Sequence, residues 1–465
     1  MRYIRIIIIN YLGQVLLPFS LLLFCVYFLT TQLRRFLRAD ILFFAGRLNF
    51  GNTAFLPDMA RRMFPGRHLV FAIFREPAHN PYMREVWKGV EKIEYMDFRR
   101  FVIDVKIAGR RVIVPYLEPH DSLVTAFLGW VARNFGRNPE ILTSRQEMYR
   151  RVEIPQALQS EVDTMMKRTP PVPDGFKWAL TLRYAMYWEL RRRHRMQDPY
   201  LPDHLREKVA AAIRSARGGR DQTHLCGLYL KKQARQAVAP QDGSPLEVYL
   251  PAIRLLVENG YQVLLTGDRP LPATVADSFD GMFVDAERVG IDWNLFNLFT
   301  LFNADIFIGE TGAGLHLVEY NEGCPQLGVN TWPFWGALRG WIYYKHAFDA
   351  DGAPLDISRI AGEFTFVVPE EGKYSVVDNS SDEILDAVTC FLEEVENPGS
   401  STIDRELEDF WPPYSFFKLA KCHISPAYVR NYRQSISAQR PGSPDSMEMS
   451  HGLSQGVPGR VTGDG

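Results

Sequence analysis

The sequence predicts an α/β protein with two domains in series, each a parallel sheet covered by helices, behind an apolar N-terminal segment. Three observations predict it. Apolar runs of strand length alternate with runs of helical periodicity, first from Ile41 and again after Gly218. A glycine-rich turn, "GETGAG" from Gly309 to Gly314, joins one such strand to the run that follows. No charged residue lies between Arg5 and Arg34, and a bilayer helix needs about 20 mostly apolar residues. The chain of 465 residues has room for two domains of about 100 to 200 residues and something extra.

The elements follow in order. Residues 1–38 are the membrane segment. Asn10, Gln14 and Pro18 interrupt the run, so it either spans the bilayer or dips into one leaflet. Arg34, Arg35 and Arg38 outnumber Arg2 and Arg5, which places the globular part on the cytoplasmic side. The N-terminal domain occupies 39–217. Ile41 to Ala45 reads as a strand, Gly46 to Asn52 as a turn, Ala54 to Phe64 as a helix and His68 to Phe74 as a buried strand, together a βαβ unit. Val112 to Tyr116 and Leu123 to Val131 continue as strand and helix, and Ile154 to Arg217 reads as helical with a breaker at "RTPPVPDG".

The second domain is placed at 218–400. "HLCGLYLK" is a strand, "LEVYLPAIRLLVENG" a helix closed by Gly260, and "YQVLLTGD" a strand. After "GMFVDAE" come the helix "WNLFNLFTLFNA", the strand "DIFIG", the helix "LHLVEYNEG" and the strand "PQLGVN". A helical segment at 401–434 and a disordered Gly, Pro and Ser-rich tail at 435–465 complete the chain.

Composition narrows the function classes. With 46% hydrophobic residues and a formal net charge of −1, the chain has material for large cores and no global affinity for nucleic acid. The five cysteines are scattered without a CxxC pair, so no zinc site is expected and the thiols read as reduced. Function must come from local sites.

In an open parallel sheet, ligands bind at the carboxyl ends of strands, where a helix start presents free N–H groups and its positive dipole end. Gly309, Gly312 and Gly314 lie in such a turn. Either they let phosphate oxygens reach the backbone or they allow tight strand-to-helix packing. The spacing is GxxGxG, so neither the dinucleotide fingerprint GxGxxG nor a P-loop is present.

"GAGLHLVEYNEGCPQLGVN" resembles the nucleotide-sugar segment of GT-B glycosyltransferases. "GLYLKK", "YLPAIRLLVENGYQVLLTGD", "FFAGRLNFGNTAFLPDMARRMFPGRHL" and "CHISPAYVRNY" are similar to segments of a bacterial GT-B group of surface-polysaccharide enzymes related to the lipopolysaccharide heptosyltransferases. The resemblance covers roughly Ile41 to Tyr432, strongly in the second domain and loosely between Glu91 and Asp221. It implies a GT-B fold, two Rossmann-like domains facing a cleft. It also implies transfer of a sugar from a nucleotide-sugar donor to a surface glycan or lipid-linked precursor, at the bacterial inner membrane and without a metal or other cofactor. Glu319 matches the glutamate that accepts from the donor's ribose hydroxyls, while Glu310 stands one residue away from the first acid of the retaining pattern ExxxxxxxE. The chain departs from the group at Lys231, where an arginine is usual, and at Phe50, where a histidine is usual.

The expected donor-binding residues are therefore Lys231, Lys232, Gly267, Asp268, Glu310, Thr311, Gly312, Gly314, His316, Glu319 and Asn330. Lys231 and Lys232 follow the first strand of the second domain, where they contact phosphate or form a solvated pair. Gly267 and Asp268 end the next strand at the same rim. Thr331, Lys345 and the aromatics of "TWPFWGALRGWIYY" either line the cleft or fill the core. Asn49, Asn52, Thr53 and Asp58 occupy the first turn and helix of the N-terminal domain. None of them makes a general base, so the catalytic base is unassigned. "RRRHR" at Arg191 to Arg195 faces an anionic lipid, a diphosphate-linked acceptor, or solvent. "DAD" at Asp349 to Asp351 lies in a Gly-Pro-flanked loop, outside the strand context of a metal-binding DxD. Two rival readings are a non-catalytic GT-B scaffold in polysaccharide assembly and a nucleotide-sugar epimerase or hydrolase on the same fold.

Overall fold

A computed structural model of the chain describes residues 22, 25–45, 50–73, 80–87, 90, 93–97, 103–107, 110–114, 121–136, 138–142, 190–191, 193–196, 198–218, 224–231, 243–267, 269–310, 318–321, 323–331, 340–355, 374–399 and 422–438. Two compact units emerge. Unit 1 comprises Met1–Ser215 with Gly290–Phe302 and Tyr320–Glu322, and unit 2 comprises Ala216–Val289, Asn303–Glu319 and Gly323–Gly465.

Unit 1 begins with helix α1. Residues 25–27 are α-helical, Phe28–Gln32 form a π-helical turn and Leu33–Phe36 an α-helical one. The Thr30 and Thr31 hydroxyls donate back to the carbonyls of Val26 and Tyr27, each at 2.7 Å, side-chain bonds of the kind that loosen a helix. The sheet is β1 (Ile41–Ala45), β2 (Leu69–Ile73), β3 (Ile93–Asp97) and β6 (Glu140–Leu142), in the parallel order β3-β2-β1-β6. The first βαβ unit forms as its pattern predicts. Its helix α2 (Phe50–Met63) starts four residues before the expected Ala54, so Asn52 and Thr53 sit within the helix. A short helix α3 (Met83–Trp87) precedes β3. The strand expected at Val112 to Tyr116 is β5 (Arg110–Val114), which pairs antiparallel with β4 (Ile103–Ile107) outside the main sheet.

Helix α4 (Asp121–Phe135) shares one core cluster with α1. Leu42 and Val70, in register across β1 and β2, meet Phe28, Phe36, Leu128, Val131 and Ala132 there. Both helices therefore lie against one face of the sheet. Phe28 and Phe36 stand edge to face at 5.1 Å and are fully buried. Fully burying a side chain of this size contributes about 1.5–3 kcal/mol, which fixes this part of the apolar N-terminal run to unit 1. Among the described residues no helix is long and apolar enough to cross a membrane. Residues 1–21, most of the expected membrane segment, lie outside the described residues.

Helix α5 (Asp203–Ala216) precedes the second series. Its strands are β7 (His224–Leu230), β8 (Tyr261–Gly267), β9 (Phe283–Val284), β10 (Ile306–Gly309), β11 (Gln326–Thr331), β12 (Gly340–Tyr344) and β15 (Cys422–Ile424). They form one sheet in the order β15-β12-β11-β10-β7-β8-β9, parallel at every described pairing. Every residue of β8, β10 and β11 is buried, as expected when both faces of a parallel sheet are covered. Helices α6 (Leu250–Glu258), α7 (Ala273–Asp277), α8 (Trp293–Asn303), α9 (Ser381–Glu396) and α10 (Pro426–Ala438) complete the described helices. The aromatics of "GWIYY" form β12, and Trp341, Tyr343 and Tyr344 are core. Helix α10 continues to Ala438, past the expected start of the tail at 435. A small antiparallel pair, β13 (His346–Asp349) with β14 (Tyr374–Val377), stands apart.

Candidate functional site

The sheet of unit 2 grows outward from β7 through β8 to β9, then reverses and grows from β10 through β11 to β12. β7 and β10 are direct parallel neighbours, so the reversal falls between these two strands. Such a reversal opens a crevice at the carboxyl ends of the strands, the usual ligand position in an open α/β sheet. Lys231 follows β7 and Glu310 follows β10 at this point.

Glu310 organises the rim. Its side chain is buried; Oε2 accepts from the Lys231 amide at 2.8 Å, and Oε1 accepts from the Ser244 amide at 2.8 Å and the Tyr249 hydroxyl at 2.9 Å. Lys231 and Ser244 flank residues 232–243, so one carboxylate holds both stems of that stretch. Gly243 lets the stems close: a Cβ there would lie 2.4 Å from the Lys231 carbonyl oxygen. Burial pushes the Glu310 carboxyl up, and the Ser244 and Lys231 amides, the Tyr249 hydroxyl and the Arg269 charge oppose that rise. Arg269 also donates to the Lys231 carbonyl at 3.0 Å.

From Tyr249 the network runs on along the strand ends. Burial, then the neighbouring Glu310, pushes its hydroxyl well up, which keeps it a hydrogen-bond donor. It accepts from Asn330 Nδ2 at 3.0 Å. Asn330 stands at φ 49°, a left-handed conformation that asparagine tolerates better than most residues. In that conformation it exchanges two bonds with Asn379: the Asn330 amide donates to Oδ1 at 2.8 Å and the Asn379 amide donates back at 2.6 Å. Asn379 Nδ2 reaches the Tyr344 carbonyl at 2.8 Å. Asn379, Asn330, Tyr249 and Glu310 thus tie the ends of β12, β11, β10 and β7 into one buried chain. Nothing in the sequence pattern links Ser244, Tyr249 or Asn379 to this rim.

The expected donor-binding residues distribute as follows. Lys231, Gly267, Glu310 and Asn330 belong to the carboxyl rim of this sheet. Gly267 has a backbone reason for its identity: φ is 108° and a Cβ would lie 2.2 Å from the Leu230 carbonyl oxygen. Glu319 lies in a 3₁₀ turn, Val318–Tyr320. Lys232, Asp268, Thr311, Gly312, Gly314 and His316 lie outside the described residues. Thr331 donates to the Tyr343 carbonyl at 3.0 Å, and Lys345 pairs with Asp378 at 2.6 Å with its side chain almost wholly buried. Asp349 Oδ1 accepts from the amides of Asp351 and Ala353, so this acid caps its own turn.

In unit 1, Asp58 is fully buried between two arginines, at 2.6 Å from Arg61 Nη2 and 2.9 Å from Arg62 Nε. Burial alone would raise its pKa, but the charges of Arg61, Arg62 and Arg191 override it and hold the carboxylate below its ordinary range. Asp198 bridges Arg62 and Arg191 at 2.7 and 2.6 Å. Of the "RRRHR" run, Arg191 therefore turns into this network and over the Tyr320 ring, while Arg193 and Arg195 are exposed.

No family model matches the chain, and no curated protein matches it. Solved structures do. A glycosyl transferase family 9 protein of Veillonella parvula is 11% identical with TM-score 0.40, over 77% of this chain and 97% of its own. The E. coli heptosyltransferase WaaC with ADP is 10% identical with TM-score 0.30, over 62% and 86%. Anabaena HepE in complex with UDP and glucose is 10% identical with TM-score 0.32, over 89% and 99%. At such values the strand order and the rim geometry, not the likeness, are the grounds for a functional reading.

Proposed function

We propose that the chain is a membrane-attached, metal-independent glycosyltransferase. It moves a sugar from a nucleotide-sugar donor to a surface glycan or lipid-linked precursor on the cytoplasmic side of the bacterial inner membrane. The observation that carries this reading is the reversal of strand order between β7 and β10, which sets Lys231, Glu310 and the start of the glycine turn at one rim. The sequence resemblance of "GAGLHLVEYNEGCPQLGVN" to a nucleotide-sugar segment points the same way. A departing nucleotide diphosphate needs positive charge, which Lys231, Lys232, Arg269 and the backbone N–H groups of the glycine turn would supply. Glu319 would accept from the ribose.

Binding is tested with the nucleotide diphosphate alone, by titration and by thermal shift. Gly312→Val places a β-branched side chain where phosphate would sit and abolishes binding in a folded protein. Glu319→Gln keeps size but loses charge, weakening binding by roughly 1.5–3 kcal/mol. If both variants bind as the parent does, with unchanged circular dichroism, the turn is structural and this donor site is wrong.

One observation favours a second reading, a donor-binding protein without turnover. Asp58, the only acid between Ile41 and Met63, is fully buried, and the Arg61 and Arg62 charges paired with it hold its carboxyl below the ordinary range, which makes it a poor proton acceptor. Donor binding with no sugar transferred to any lipid-linked acceptor would select that reading.

A further inference from the structure

Helices α1 and α4 carry large apolar side chains on their outer sides. On α1, Val26 and Leu29 are each 51% exposed, and Leu22 before it is 61% exposed; on α4, Trp130 and Phe135 are 51% and 64% exposed. Positions 22, 26 and 29 recur at the spacing of one helix face. Trp130 packs edge to face on Phe135 at 5.5 Å and stacks near Phe127 at 6.4 Å. The two helices share the Leu42 and Val70 face of the sheet through a single core cluster, so these outward residues belong to neighbouring surfaces of unit 1.

We infer that this composite face of α1 and α4 docks unit 1 onto a lipid bilayer surface that contains anionic lipid. Three further observations choose a bilayer as the occupant. The chain reaching the face from the N-terminal side is uncharged from Ile6 onward, so the face continues an apolar segment instead of standing as an isolated patch. Exposed Arg34, Arg38 and Arg133 flank it, and tryptophan beside arginine is the composition of the headgroup region. The exposed Thr30 and Thr31 hydroxyls, finally, are satisfied by their own helix, as a group facing lipid must be. An amphipathic pair of this kind lies in the interface plane with its apolar side among the acyl chains.

The face is independent of the donor site, so either reading can fail alone. The test uses the full chain reconstituted with vesicles of phosphatidylcholine and phosphatidylglycerol. Single Trp130→Cys and Phe135→Cys variants carry an environment-sensitive fluorophore, Val377→Cys in unit 2 carries the same label as a control, and the parent chain labelled in parallel sets the background. Labels at 130 and 135 are expected to be quenched by spin-labelled lipid and shielded from iodide, while the label at 377 shows the reverse. Doubling the phosphatidylglycerol fraction strengthens the effect, and removing it weakens it. The inference is overturned if the 130 and 135 labels stay open to iodide on vesicle-bound protein. It is equally overturned if they are shielded without vesicles, which would mean that a second copy or residues before Leu22 cover the face. Quenching at 377 as well as at 130 would show unspecific adsorption and also overturn it.

Discussion

At the rim of unit 2, Glu310 accepts through its carboxylate from three donors that come from two distant stretches of chain. Replacing it with alanine leaves two amides and a buried hydroxyl without their acceptor, a loss of about 2–4 kcal/mol from unit 2 that urea melts would read. Glu310→Gln keeps an acceptor but turns an NH₂ group toward one of the donors, so its cost is smaller, about 1–2 kcal/mol. Equal stability of parent and alanine variant would show that the loop stems close without the carboxylate. Glu383 gives a pH-dependent counterpart. It completes a capping box with Ser380 at the start of α9, and its Oε1 lies 2.6 Å from His346 Nε2. Burial raises its pKa, but the His346 bond and charge and the Ser380 amide and hydroxyl outweigh burial and hold it down to about 2. Because the folded value lies below the ordinary 4.5, the carboxylate's contribution is complete above about pH 4.5 and is lost as pH falls toward 2. The urea midpoint should therefore decline over that window, and Glu383→Gln should flatten the decline.

At the scale of elements, the strand ends decide what the sequence reveals. Strands β1, β2, β7, β8, β10 and β11 are legible because each is a short apolar run between turn signals. β12 hides among tryptophans and tyrosines that read equally well as packing, and β15 is too short to show a period. The glycine turn and Lys231 mark the rim locally. The clamp does not show, because the partners of Glu310 lie 79, 66 and 61 residues away, and no spacing rule joins such distant positions. Asn330 was legible as a strand end, whereas its left-handed backbone follows from the exchange with Asn379, 49 residues on. The end of β8 tests how tightly the strands close. Gly267→Ala must accommodate a Cβ against the Leu230 carbonyl at a φ that alanine resists. A loss of about 2 kcal/mol or more in unit 2 is expected, and an alanine variant as stable as the parent would show that β8 can shift away from β7.

The whole chain does not divide at one point. Unit 1 takes back Gly290–Phe302 and Tyr320–Glu322 from the second series, and these segments make real contacts in it. Asn80 Nδ2 donates to the Asn294 carbonyl at 2.5 Å, the rings of Trp87 and Tyr320 meet edge to face at 6.4 Å, and the Arg191 guanidinium lies over Tyr320. A fragment ending at Ser215 is therefore expected to lack a cooperative transition, measured by near-UV circular dichroism against urea. A fragment melting like the intact unit would show the borrowed segments to be dispensable. The same borrowing sets a clock during synthesis. Residues 216 to 322 must follow Ser215 off the ribosome, and at about 5–20 residues per second that delay lasts roughly 5–20 s. Through that interval Phe28 and Phe36 of α1 are already made while unit 1 still lacks the segments that complete it, so the nascent chain carries large apolar side chains in need of cover until residue 322 emerges.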